Sequence, residues 1–152
     1  MLIRRDDPAR APIAELLAEH LREMRRISPP ESVHALDLDG LRAPDVVFWA
    51  AWERDELLGC AALKALGPTR GEVKSMRTVS ARRRGGVASA LLGRLEREAR
   101  RRGYQSLLLE TGVQPEFGPA RAFYERHGFA YRGPFADYRE DPNSVFMVKR
   151  LR

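Results

Sequence analysis

Apolar positions along the 152 residues change period several times, and each change marks a predicted element. The opening "MLIRR" is a short strand candidate. From Pro12 to Ile27 the residues Ile13, Leu16, Leu17, Leu21 and Met24 recur at helical spacing, and Pro29 and Pro30 end that helix. Glu31 to Gly40 is ambiguous, with a second short helix around Val33, Leu36 and Leu38 as one reading. Asp45 to Glu53 and Leu57 to Leu66 are apolar strands on either side of "RDE", a hairpin signal. "GEVKSMRTV", Gly71 to Val79, is a third such run and completes an antiparallel meander.

The period then switches. Val87, Ala90, Leu91, Leu95 and Ala99 predict a long helix that stops at Gly103. "QSLLLET" follows as a strand whose continuous leucines bury both faces. A helix around "GPARAFYERHG" is closed by Gly128, and "FAYRG" and "SVFMVKRL" are the last strands. No repeat, low-complexity stretch or long linker interrupts the pattern. The expectation is one domain over residues 1–152, an α/β fold with a mixed, mostly antiparallel central sheet of about six to seven strands and helices on both faces.

Composition narrows the function classes. With 43% hydrophobic and 32% charged residues the chain reads as an ordinary globular protein. No apolar run approaches the ~20 residues of a membrane span, and the start has no signal-peptide core. A cytoplasmic protein without a membrane partner is expected. Cys60 is the single cysteine, so neither an intrachain disulfide nor a CxxC zinc cluster can form. His20, His34 and His127 lack ligand spacing, and no metal is expected. A net charge of +6 admits any anionic ligand and selects none. In "LEREARRRG" arginine and glutamate alternate at i,i+3 and i,i+4 without interleaved aromatics, which describes a solvated helix face, and nucleic acid is not an expected partner.

"RRRGGVASALL", Arg82 to Leu92, carries the first chemistry. Its glycines fall between a strand ending near Val79 and a helix beginning near Gly86, where a helix N-terminus presents unpaired N–H groups and the positive end of its dipole. Gly85 and Gly86 let backbone approach a ligand closely, Ala88 keeps the first turn small, and Arg82 to Arg84 add positive charge. A glycine pair before a helix also occurs as a plain turn and cap. The absence of GxGxxG and the antiparallel elements upstream argue against a dinucleotide fold.

At this point "RRGGVA", Arg83 to Ala88, resembles the R/Q-x-x-G-x-G/A signature of the GCN5-related N-acetyltransferases (GNAT). "GEVKSMRTVSARRR" upstream, and "LLLETG", "ARAFYERHGF" and the terminal strands downstream, extend the resemblance from about Ala50 to the end. The resemblance implies direct transfer of an acetyl group from acetyl-coenzyme A to a primary amine of a small molecule or peptide. It implies that the N–H groups of Arg84, Gly85, Gly86, Val87 and Ala88, flanked by Arg83, hold the pyrophosphate. It places Met76, Arg77 and Thr78 on the strand that pairs with the pantetheine arm, with the Met76 N–H as oxyanion donor.

An amine of pKa ~10 must lose a proton before or during attack. Glu72, eleven residues before Arg83, stands where histone-acetylating members carry their base, and Glu110 at the end of the next strand is the second candidate. The resemblance gives Tyr124 the task of protonating the departing thiolate. Against these stand structural readings: Glu72 paired with Lys74 on the surface, and Tyr124 packed in the core beside Phe123 and Phe129. Two positions depart from the family pattern. Phe117 stands where many members have a pantetheine-binding asparagine, and Arg84 stands where a glycine commonly follows the signature arginine.

Arg22, Arg25, Arg26, His34, Tyr138 and Ser144 fall in the segments that build the acceptor pocket of this architecture, and arginines there would suit a carboxylate or phosphate on the acceptor. Cys60, Trp49 and Trp52 read as packing residues, and His127 as a helix-end residue. Two other classes compete with an enzyme: a coenzyme-binding sensor without turnover, and a basic nucleic-acid-binding domain. Monomer and homodimer both remain compatible with the sequence.

Overall fold

A computed structural model describes residues 1–83 and 85–151. The elements in chain order are β1 (Leu2–Arg5), α1 (Ala11–Ile27), α2 (Leu38–Leu41), β2 (Val46–Glu53), β3 (Glu56–Ala65), β4 (Arg70–Thr78), α3 (Val87–Arg101), β5 (Ser106–Gly112), α4 (Gly118–Arg126), β6 (Ala130–Arg132) and β7 (Ser144–Arg150). The seven strands form one sheet in the order β1-β2-β3-β4-β5-β7-β6. Every pairing is antiparallel except β4 with β5, which are parallel as a strand, helix, strand crossover requires.

The expected mixed sheet with helices on both faces is therefore present. The ambiguous Glu31 to Gly40 segment differs from the single short helix considered for it. It holds a 3-10 turn at Pro30–Ser32 and then the one-turn α2, whose N-cap Asp37 accepts from the Gly40 N–H at 2.8 Å. Pro29 and Pro30 prevent α1 from running on, and Val33 and Leu36 lie between the two short turns.

Strand alternation divides the core. Leu107 and Leu109 of β5 point to the side covered by α3 and α4, where they join Leu91, Leu92, Leu95, Tyr124 and Met147. The opposite face of β2 and β3 packs Phe48, Ala50, Cys60 and Ala62 against Ile13 and Leu16 of α1 and Leu41 of α2. Cys60 is fully buried there, and burial pushes its thiol up to about 12, which fits a packing role. Trp49 is fully buried, and Trp52 packs in the α1 cluster with its indole N–H donating to Asp6 at 2.9 Å.

Two irregularities open the middle of the sheet. First, β4 carries a bulge: Cys60 faces Arg77 and Ala62 faces Lys74, so Ser75 and Met76 together oppose Ala61, and Ser75 has φ 54. Second, β4 and β5 pair only through Arg70↔Ser106, Gly71↔Leu107 and Glu72↔Leu108. Past Glu72 the strands part, leaving one edge of Val73 to Thr78 without a neighbouring strand.

Candidate functional site

A cleft of about 1000 Å³ occupies the parting between β4 and β5 and runs to the start of α3. Glu72, Met76, Arg77, Thr78, Arg83, Gly86, Val87, Ala88, Glu110 and Tyr124 all line it, so residues picked from separate stretches of sequence meet around one space. Gly85 lies in the adjoining loop, outside that lining, and Arg84 lies outside the described residues.

One end of the cleft is the N-terminus of α3. Gly86 is its N-cap, with φ 85 and no side-chain cap, so the N–H groups of the first turn have no intrahelical partner. A Cβ at Gly86 would meet nothing within 4 Å, which shows open space above the turn. Left-handed backbone, uncapped amides and open space together make a cradle for an anion. Arg82 and Arg83 both line the cleft, and the Arg82 guanidinium is held by Glu53 and Glu56 of the β2–β3 hairpin. The Ser89 hydroxyl lies 3.1 Å from His127 Nε2, and His127 Nδ1–H donates to the Phe123 carbonyl at 2.8 Å, which ties α3 to the end of α4.

The middle is formed by the free edge of β4 and by α4. Tyr124 is packed edge-on against Phe123 and Phe129, at ring separations of 5.2 and 5.4 Å. Among the described residues none hydrogen-bonds its hydroxyl, and burial raises the phenol above its ordinary value, so it stays protonated. Phe117 lies over Gly112 so closely that a Cβ there would come within 2.3 Å of the ring. The departure from asparagine has thus produced an apolar wall.

The far end holds carboxylates. Glu72 and Glu110 share a face, because Glu72 pairs with Leu108 and Glu110 is two residues on. Glu72 is 2% exposed and is tied down: Tyr138 donates to Oε2 at 2.5 Å, and Lys74 Nζ lies 3.4 Å from the same oxygen. The Glu72–Lys74 pair expected on the surface is therefore buried. Glu110 accepts one hydrogen bond, from Ser144 Oγ at 2.8 Å. Burial pushes Glu110 up to about 7, and its neighbour Glu72 adds to this against the opposing Ser144 bond and Lys74. A carboxyl so placed exchanges its proton near neutral pH.

The residues expected at an acceptor pocket divide between those at the cleft and those away from it. His34 lines the cleft, and Tyr138 and Ser144 reach it through Glu72 and Glu110. Arg22, Arg25 and Arg26 do not line it: α1 offers the stripe His20, Glu23, Met24 and Ile27, and the three arginines fall between those positions. Arg26 pairs instead with Glu23 at 2.7 Å. Sequence reasoning gave Lys74 no role of its own at the site, although its spacing of two from Glu72 on a strand was the available signal. It also missed His20, whose imidazole is pushed down to about 4, first by burial and then by Arg77 and Arg83. Among the described residues no group of three or more His, Cys, Asp or Glu could hold a metal ion, and no helix is long and apolar enough to cross a membrane.

Comparison with known proteins agrees with this geometry. The family model "Acetyltransferase (GNAT) family" matches residues 13–129. The uncharacterized N-acetyltransferase YsnE of Bacillus subtilis is 54% identical, covering 99% of this chain and 100% of its own. The IAA acetyltransferase of Azospirillum brasilense is 40% identical over 98% of this chain and 97% of its own. An aminoglycoside 6'-N-acetyltransferase crystallised with coenzyme A superposes at a TM-score of 0.74 with 21% identity, covering 100% of this chain and 98% of its own, which is a likeness of fold. The parted central strands, the uncapped helix start and the full-length similarity converge on one assignment: this chain belongs to the acetyltransferase (GNAT) family and is an N-acetyltransferase.

Proposed function

We propose that the protein transfers an acetyl group from acetyl-coenzyme A directly to the primary amine of a small molecule or peptide, with Glu110 as the proton acceptor and Tyr124 as the proton donor. The observation that carries this reading is the single cleft that joins the uncapped start of α3 to Glu110 past Tyr124. Acetyl-coenzyme A supplies the activated thioester. Its fit to the chain rests on the Gly86 cradle for phosphate and on the unpartnered edge of β4 for amides.

The residues divide the work as follows. The N–H groups of Gly85, Gly86, Val87 and Ala88, and of Arg84, bind the pyrophosphate, with Arg83 beside them. The backbone of Met76, Arg77 and Thr78 orients the pantetheine arm, and the Met76 N–H donates to the carbonyl oxygen as negative charge develops there. Glu110, titrating near 7, takes a proton from the incoming ammonium, directly or through one water. The Tyr124 phenol, kept protonated by burial, supplies a proton to the departing sulphur and recovers one from the nitrogen as the amide forms. Glu72 is the weaker candidate for base, because its Oε2 is already engaged by Tyr138 and Lys74.

An amine acceptor is supported by the carboxylates Glu72 and Glu110 at the far end of the cleft. Calorimetry of acetyl-coenzyme A against the wild type and Gly86→Glu tests the cradle: micromolar binding that is lost in the variant supports it, and equal binding by both proteins refutes it. Thiol release is then followed with a panel of amines, comprising an aminoglycoside, a polyamine, amino acids and a peptide with a free N-terminus, together with IAA because one relative bears that name. Coenzyme binding without release for any of them would refute primary amines of these classes as the acceptor.

A further inference from the structure

The buried Lys74 does more at this site than fill a core position. Its Nζ donates to the His34 carbonyl at 3.0 Å and to the Tyr138 hydroxyl at 2.9 Å, and lies 3.4 Å from Glu72 Oε2. Each of the three ammonium protons thus has an acceptor in a side chain only 10% exposed. Tyr138 closes the network by donating to Glu72 at 2.5 Å, and its ring is enclosed by His34, Phe135 and Phe146. Three segments distant in sequence are clasped in this way: the stretch after α1, strand β4, and the loop between β6 and β7. Ser32 adds a second tie, donating to Asp141 at 2.7 Å.

Glu110 sits on the neighbouring strand, facing this network. The charged and titratable groups that act on it are Glu72 and Lys74 from β4 and Asp141 from the β6–β7 loop, with Tyr138 and the Ser144 hydroxyl beside them. Lys74 is the cation of this set. We propose that Lys74 is a positioning residue for acetyl transfer, which fixes the Glu72 carboxylate and Tyr138 in one closed unit and supplies the positive charge of the network that Glu110 faces, so that Glu110 is the carboxylate left to take the acceptor's proton. The inference rests on the reading of Glu110 as base and adds what keeps that base in working range. A Lys at this position serves by charge as well as by hydrogen bonds, which separates the role from plain packing.

The test is a pH titration of the Glu110 side-chain carboxyl by carbon NMR in the wild type, Lys74→Met, Lys74→Gln and Lys74→Arg, with no ligand present. Removing the charge is expected to move the Glu110 midpoint upward by about one unit, a tenfold loss of ionised Glu110 on the acid side. Lys74→Arg, which keeps the charge, should leave it near the wild-type value. Lys74→Gln retains hydrogen bonding and serves if Lys74→Met does not fold. A common midpoint in all four proteins overturns the inference. The same variants, assayed for thiol release with an amine found active in the panel, should show the acid limb of kcat/KM moving with the NMR midpoint. An unmoved limb also overturns it. Glu110→Gln tests the underlying reading separately: undiminished turnover in that variant removes Glu110 as base and leaves the NMR result standing.

Discussion

Glu110→Gln should convert a hidden pH dependence of stability into a measurable difference. In the folded chain burial pushes Glu110 up to about 7, whereas the unfolded chain titrates near the ordinary 4.5. Between those two values the folded state holds a proton that the unfolded state has released. Folding is therefore progressively disfavoured as the pH rises through this window, and the full penalty applies above it. Two and a half units at ~1.4 kcal/mol each give about 3 kcal/mol. Glutamine at position 110 keeps the shape and loses the titration. The unfolding free energy of the variant minus that of the wild type should thus grow by about 3 kcal/mol from pH ~4.5 to pH ~8.

The difference is the useful quantity, because His20 works against Glu110 in the wild type. Its imidazole is pushed down to about 4, so its contribution is lost as pH falls below 6.5, opposite in sign over nearly the same range. In the wild type alone the two effects mask each other, and subtraction removes His20. Urea denaturation followed by the fluorescence of Trp49 and Trp52 at several pH values measures it. If the two proteins give parallel stability curves across the window, Glu110 is not held near 7, and its suitability as a base at neutral pH fails with that result.

Tyr124→Phe should lower kcat by on the order of 10²-fold while calorimetric affinity for acetyl-coenzyme A changes by less than about twofold. Equal kcat in the two proteins would remove the proton-donor role. Gly86→Ala places a Cβ in open space but at φ 85, so thermal or urea denaturation should show a loss of about 1 kcal/mol from backbone strain. A loss of several kcal/mol would mean that the turn is packed rather than open. Gly112→Ala should cost about 1–3 kcal/mol, because its Cβ would fall 2.3 Å from the Phe117 ring. Phe117→Ala in the Gly112→Ala background should return most of that, and additive losses in the double variant would refute the contact.

The legible part of this protein was the part encoded locally. Helical spacing gave α1, α3 and α4, and the Gly85–Gly86 pair marked the left-handed, uncapped start of α3. Hairpin chemistry gave β2 and β3, whose turn holds Arg54 at φ 55. What could not be read depends on register across long separations. The parting of β4 from β5 follows from which residues pair, and alternation within either strand carries no trace of it. Tyr138 reaches Glu72 across 66 residues from a loop without periodicity. The arginines of α1 were misplaced for a related reason. The architecture implied by the resemblance pointed to that helix as pocket-building, but the face turned to the cleft is fixed by Ile13 and Leu16 against the sheet, and that face carries His20, Glu23, Met24 and Ile27 instead.

The short seam between β4 and β5 has a thermodynamic consequence. Only three residue pairs join the first four strands of the sheet to the last three, so a co-substrate lying along the free edge of β4 would act as a missing rung. Occupancy and rigidity then become linked. At a hundredfold excess over Kd such a ligand would add ~2.7 kcal/mol to folding stability, and amide hydrogens from Val73 to Thr78 and from Leu109 to Gly112 would exchange more slowly. The starved protein would be the softer one, opening first at its centre, so the supply of co-substrate would govern how long each copy survives proteolysis as well as how fast it turns over.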